Sequence, residues 1–267
     1  MVLRPFRTGG RSLKKSFRII PVLDVKGGLA VHAVAGKRAK YQPVKSWLHP
    51  TSDPVSLAKA FEAAYGFREL YLADLDAILQ RLPLNLNLIS EISSMTSLIL
   101  MIDGGFRRLE EAEAAIKAGA SKAVFGTETL PGIAFIKKAL ESFGLDKVTV
   151  SLDLLRGKIL GFGQDFKGLK PWEAAGRLRK LGVKELIVLD LSRVGVEGGV
   201  DLKLTEGIVK AFNGEVLVGG GVRSLGDLED LADLGVAGAL VATAFHKGKI
   251  KPKELLKRNL SMWKPKL

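Results

Sequence analysis

The chain has 267 residues, of which 47% are hydrophobic, none is cysteine, and the formal net charge is +13. That length suits one large α/β domain, and the missing cysteines exclude disulfides, thiolate catalysis and cysteine-held zinc. No apolar run reaches the ~18 residues of a membrane span, and the basic start lacks the apolar stretch of a secretory signal, so a cytoplasmic protein is expected.

The charge sits at the ends. Residues 1–16 form a basic extension carrying +5, and residues 247–267 carry +7, most of it in a basic tail over 251–267. The body between them is nearly neutral. Such ends fit either solvated tails or arms that touch RNA or another polyanion.

In chain order, the pattern predicts a strand at 18–23, a helix at 56–65 and strands at 69–73 and 98–102. A helix at 108–118 and strands at 123–125 and 148–152 follow. The second part holds a helix at 171–181, strands at 185–189 and 215–218, a helix at 224–234 and a strand at 238–241. The strands are short and continuously apolar, as parallel strands covered on both faces are. Gly66, Gly119, Gly182 and Gly235 stand where four helices should stop. Eight such units in one domain point to a (β/α)8 TIM barrel.

An internal repeat supports this. Glu69-Leu-Tyr-Leu-Ala-Asp74-Leu75 matches Glu185-Leu-Ile-Val-Leu-Asp190-Leu191 at an offset of 116 residues. Gly104-Gly105-Phe106-Arg107 matches Gly220-Gly221-Val222-Arg223, and Thr127 matches Thr243, at the same offset. Val22-Leu-Asp24 pairs with Ser151-Leu-Asp153 at 129, so the first units differ in loop length. The barrel is therefore read as two duplicated (βα)4 half-barrels over 17–130 and 147–250.

The repeat places chemistry at one end of the barrel. Gly104-Gly105 and Gly220-Gly221 each follow a strand and precede a helix, so bare backbone N–H groups can approach an anion. Arg107 and Arg223 could each add a charge-assisted contact. Gly126-Thr127 and Ala242-Thr243 end the next strand in each half, completing two candidate phosphate sites. The alternative reading of each is a plain turn. Asp24 and Asp153 end opposite strands, the geometry for general acid–base work across a ligand, or else they cap loops. Asp74 and Asp190 fit ligand hydroxyls or loop anchoring equally. Asp103 stands where its counterpart is Gly219, and Lys26 is a candidate contact to the ligand or to Asp24. His32, His49 and His246 lack metal-ligand spacing, so no metal and no cofactor are expected. Residues 47–54 read as a loop, a candidate lid.

The residues 19–28, Asp74-Leu75-Asp76, Gly104-Gly105-Phe106-Arg107, Phe125-Gly126-Thr127, Ser151-Leu152-Asp153 and 219–224 occur in the order seen in histidine-biosynthesis barrels. Over roughly 17–250 the chain resembles the HisA/HisF family, its ProFAR isomerase branch above all. The resemblance implies an Amadori aldose-to-ketose rearrangement of a substrate with a phosphate at each end. Asp153 would be the acid that opens the ribose ring, and Asp24 the base that takes the C2 proton. Several features depart from the family, among them the loop over 192–196 and the segment 31–36. Leu189 replaces a hydroxyl residue, Gly163-Gln164 replaces a Gly-Trp pair, and Asp103 replaces a glycine. They imply a divergent paralogue with the reaction type kept and the substrate changed. Two other readings stay open: a barrel without catalysis that binds a phosphate ligand or RNA through its basic ends, and a different reaction such as cyclisation or aldol chemistry. A Schiff-base aldolase would need a lysine inside the barrel, which no predicted strand clearly supplies.

Overall fold

The computed structural model describes residues 17–161 and 165–257. Eight parallel strands form a closed barrel: β1 (Arg18–Lys26), β2 (Glu69–Asp74), β3 (Ile99–Asp103), β4 (Lys122–Gly126), β5 (Val148–Leu155), β6 (Glu185–Asp190), β7 (Glu215–Gly219) and β8 (Gly238–Val241). Each pairs with the next, and β8 pairs back with β1 through Arg18 opposite Gly238 and Pro21 opposite Val241. Among the described residues there are ten α-helices, in chain order α1 (Pro54–Tyr65), α2 (Leu75–Gln80), α3 (Leu86–Met95), α4 (Leu109–Lys117), α5 (Ile133–Phe143), α6 (Pro171–Lys180), α7 (Leu202–Phe212), α8 (Leu225–Asp233), α9 (Thr243–His246) and α10 (Pro252–Lys257). None is long and apolar enough to cross a membrane.

Every predicted strand is present. The differences lie at the ends: β1 and β5 run three residues further, β4 and β7 one, and β2, β3 and β6 one, onto Asp74, Asp103 and Asp190. The ladder carries them there: Val25 pairs with Asp74, Ala73 with Asp103, and Leu154 with Asp190. Beyond the barrel, β1 continues into an antiparallel hairpin with Leu29–His32, which in turn pairs with Gln42–Pro43, and Lys158–Ile159 folds back on β5.

Side chains alternate across each strand. Leu23, Leu72, Ile102, Phe125, Leu152 and Val218 point outward and pack under the helices. Ile20, Met101, Val124, Ile187, Leu217 and Leu240 fill the lumen. Each helix has a local reason to start or stop. Asp53 caps α1 by accepting from the Ser56 N–H at 2.7 Å, Pro54 opens the helix, and Gly66 ends it with a left-handed φ of 63°. The repeat extends to caps the sequence pattern did not flag. The Arg107 N–H donates to Glu111 at 2.9 Å and the Arg223 N–H to Asp227 at 2.7 Å.

The N-terminal end of the lumen is charged and paired. Arg18 donates through Nε to Glu69 at 2.8 Å, pairs with Glu185, and lies 3.6 Å from Glu215. Lys122 donates to Glu185 at 2.8 Å, and so does the Thr149 hydroxyl at 2.6 Å. Lys122 is therefore a lysine inside the barrel, which the predicted strands had missed. It is paired at the end away from the cavity described next, so it does not serve a Schiff base there.

Candidate active site

A cavity of about 1090 Å³, counting its solvent-open mouth, lies at the C-terminal ends of the strands. Asp24 of β1, Asp103 of β3 and Asp153 of β5 all line it. They are brought in by strand parity, each on the same face as Val22, Met101 or Ser151 two residues earlier on its strand. Gly126 sits between two of them. A Cβ there would lie 2.9 Å from one Asp153 oxygen and 3.7 Å from one of Asp103, so the glycine is what lets the two carboxylates approach.

The three acids hold their protons unusually tightly. Burial, with the nearby Asp103 charge second, pushes the Asp153 carboxyl up to about 8, against hydrogen bonds from the Ser151 hydroxyl at 2.6 Å and the Glu128 N–H at 3.0 Å. Burial and then Asp103 raise Asp24 to about 7. Asp103 reaches about 6, again through burial, with the Gly105 N–H at 3.0 Å and the Tyr71 hydroxyl at 2.9 Å pulling the other way. Two carboxylates poised near neutrality in one cavity can give and take protons at physiological pH.

The two predicted phosphate sites differ. At β7 and β8, Gly220, Gly221, Ala242 and Thr243 all face the cavity. Gly220 and Gly221 take φ of 88° and 99°, and a Cβ on them would meet the Asp190 carbonyl at 2.4 Å and the Gly199 carbonyl at 2.3 Å. Glycine is required there by packing of the β6 loop as well as by any ligand. At β3 and β4 the arrangement is closed. Gly104 and Gly105 are buried; a Cβ on Gly104 would lie 2.7 Å from Leu84, and one on Gly105 would lie 2.8 Å from the Ile78 backbone. Gly126 lines the cavity, but Thr127 does not. The Thr127 hydroxyl accepts from the Asp153 N–H at 2.9 Å and donates to the Leu160 carbonyl at 2.9 Å, so it is spent on backbone.

Other predicted contact residues have partners within the fold. Arg107 donates to the Gly105 and Ile78 carbonyls at 2.9 and 3.1 Å, while Arg223 makes a two-pronged pair with Asp227 at 3.0 and 2.8 Å. Neither lines the cavity. Asp74 accepts from the N–H groups of Asp76, Ala77 and Asn85, and Asp190 from the N–H and hydroxyl of Ser192. Both anchor their loops, and neither is on the cavity lining. Lys26 ends β1 opposite Leu29 of the hairpin and does not line the cavity. Residues 47–54, the candidate lid, lie off the cavity lining, where the Trp47 indole donates to the Phe245 carbonyl at 2.7 Å. Leu189 does line it, packed against Gly219 where a Cβ would lie 2.9 Å away. Gly163 and Gln164 lie outside the described residues, as do both basic ends over 1–16 and 258–267.

Arg193, which the sequence pattern did not single out, is the one cation among the described lining residues. Asp190 at 3.2 Å and the Gly199 carbonyl at 2.8 Å hold it near the β7 loop. His32 lies with Nε2 3.2 Å from the Thr243 hydroxyl, and His246 is buried beside Ser46 at 3.1 Å. Among the described residues no group of His, Asp or Glu has the geometry to hold a metal ion.

Comparison with known proteins agrees with this architecture. An uncharacterised protein of Methanocaldococcus jannaschii is 33% identical over 90% of this chain and 98% of its own length. An isomerase of 1-(5-phosphoribosyl)-5-((5-phosphoribosylamino)methylideneamino) imidazole-4-carboxamide from Rubrobacter xylanophilus is 34% identical over 91% of this chain and 97% of its own. An isomerase of the same name from Thermus thermophilus is 32% identical over 91% of this chain and all of its own. The pattern of the family described as Histidine biosynthesis protein matches residues 18–251, and the chain belongs to that family.

Proposed function

We propose that the chain is an isomerase that carries out an Amadori rearrangement on a phosphorylated ribosylamine, with Asp153 as general acid and Asp24 as general base. The observation that carries this reading is the pair of carboxyls raised to about 8 and about 7 on β5 and β1, facing one cavity. At neutral pH Asp153 keeps its proton and gives it to the ring oxygen as the C1–O bond breaks and the nitrogen lone pair forms an iminium. Asp24 takes the proton from C2, and the C–H electrons form the enolamine. That intermediate gains a proton at C1 and loses one from the C2 hydroxyl, giving the ketose. The phosphate is held at the β7 and β8 ends. The isomerase names of the relatives and the family membership support the reaction class.

The base must be ionised and the acid protonated. Activity therefore rises as pH passes about 7 and falls as it passes about 8, a narrow bell belonging to the coupled pair. The test incubates the protein in D2O with phosphorylated ribosylamines, the relatives' bisphosphate included, and follows ketose formation with deuterium uptake. Asp24→Asn and Asp153→Asn should each lower kcat by about 10^3 while the same ligand still raises the melting temperature. Full turnover in both variants, or no isomerisation of any ribosylamine tested, would contradict the assignment.

A further inference from the structure

The duplicated barrel offers two equivalent places for phosphate, and the folded chain keeps only one of them open. At the β7 and β8 ends, Gly220, Gly221 and Thr243 face the cavity, with Arg193 on the same lining. At β3 and β4, Gly104 and Gly105 are buried and do not line the cavity, Leu84 and Ile78 pack close to them, and the Gly105 N–H that could meet an anion donates to Asp103 at 3.0 Å. Arg107, the cation that could have met such an anion, instead donates to the Gly105 and Ile78 carbonyls and ties α2 down over the glycines. The exchange of glycine for acid completes the closure. Gly219 leaves bare backbone on β7, while Asp103 at the matching place on β3 puts a carboxylate on the cavity wall, and Glu128 adds another to the lining. The rest of that side is Tyr71, Leu75 and Ile78, a largely apolar surface.

We propose, resting on the isomerase reading above, that the substrate is a monophosphate: its one phosphate seats at the β7 and β8 ends, and the part of the molecule that reaches β3 and β4 carries no anionic group. A second phosphate would have to lift α2 against the Arg107 hydrogen bonds and lie beside like charges. An uncharged sugar or heterocycle meets the apolar wall of Tyr71, Leu75 and Ile78 without either penalty.

The test uses the full chain and inorganic phosphate in equilibrium dialysis, with ribose 5-phosphate and ribulose 1,5-bisphosphate as competitors. One phosphate per chain is expected, displaced by the two sugars with affinities within about threefold of each other. A carboxylate introduced by Thr243→Asp should weaken phosphate binding by about tenfold or more, with the unliganded melting temperature recorded to verify folding. Two phosphates per chain, a bisphosphate about tenfold tighter than the monophosphate, or a folded Thr243→Asp variant with unchanged binding would overturn the proposal. No phosphate binding at all would overturn it too. The deuterium assay judges the proton-transfer chemistry separately, so failure of the substrate class and failure of the isomerase reading give different results.

Discussion

Glu185 and Asp153 are carboxylates buried in the lumen of the same barrel, 3% and 4% exposed, on adjacent strands. At the N-terminal end, burial alone would raise Glu185, but the charges of Arg18 and Lys122, with hydrogen bonds from Lys122 and Thr149, outweigh it and hold the carboxyl below its usual range. At the C-terminal end, the neighbours of Asp153 are a hydroxyl, a backbone N–H and another acid, and it rises to about 8. Burial is the same, and the counter-ion decides the proton affinity. The paired end behaves as structure. The unpaired end is unfavourable for folding at high pH, and that penalty is explained if the acids work on a ligand.

The contrast can be broken from either end. The largest stability effect is expected for Arg18→Met, which leaves Glu69, Glu185 and Glu215 with Lys122 as the remaining cation of this network among the described residues. Loss of about 3 kcal/mol in urea unfolding is expected, with the pH profile of activity unchanged. A variant of wild-type stability would show that the network is not what holds that end.

A smaller effect of opposite sign is expected at the mouth. The folded chain raises Asp24 to about 7, from an ordinary carboxylate value of about 4 in the unfolded chain. The native state therefore binds that proton more tightly, and the associated stability is lost as pH rises from about 4 through 7. Asparagine does not ionise, so Asp24→Asn should gain on wild type by about 2.5 kcal/mol between pH 5 and pH 8, the part of the three-unit shift that falls in that window at about 1.4 kcal/mol per unit. Equal differences at both pH values would mean that the carboxyl is not raised. The smallest effect is expected for Asp74→Ala. Losing its hydrogen bonds to three backbone N–H groups should cost about 1 kcal/mol and leave turnover within about tenfold of wild type, since about 1.4 kcal/mol is a factor of ten. A larger loss of turnover would return Asp74 to the ligand.

Much of the fold was legible because parallel strands buried on both faces leave continuous apolar runs, and because duplication repeats them at 116 residues. Asp24 and Asp153 were legible because strand ends on opposite sides of a barrel must face each other. The paired end was also written in the sequence: Arg18, Glu69, Lys122, Glu185 and Glu215 each open a strand, a charge at the first inward position that composition alone does not reveal. What sequence could not supply was the cover over Gly104 and Gly105. Residues 75–84 read as connection between elements, and only the fold lays Ile78 and Leu84 on those glycines. Likewise Thr127 and Arg107 have the residue types of an anion site, and their hydrogen bonds go to backbone because the loops reach them first.

The most direct test of the account is the titration of the lumen carboxyls by 13C NMR in the intact protein. Asp24 and Asp153 should titrate near 7 and 8, and Glu185 below the usual glutamate range. Titration of all three near 4, the ordinary carboxylate value, would contradict the claim that the barrel pairs its acids at one end and poises them for proton transfer at the other.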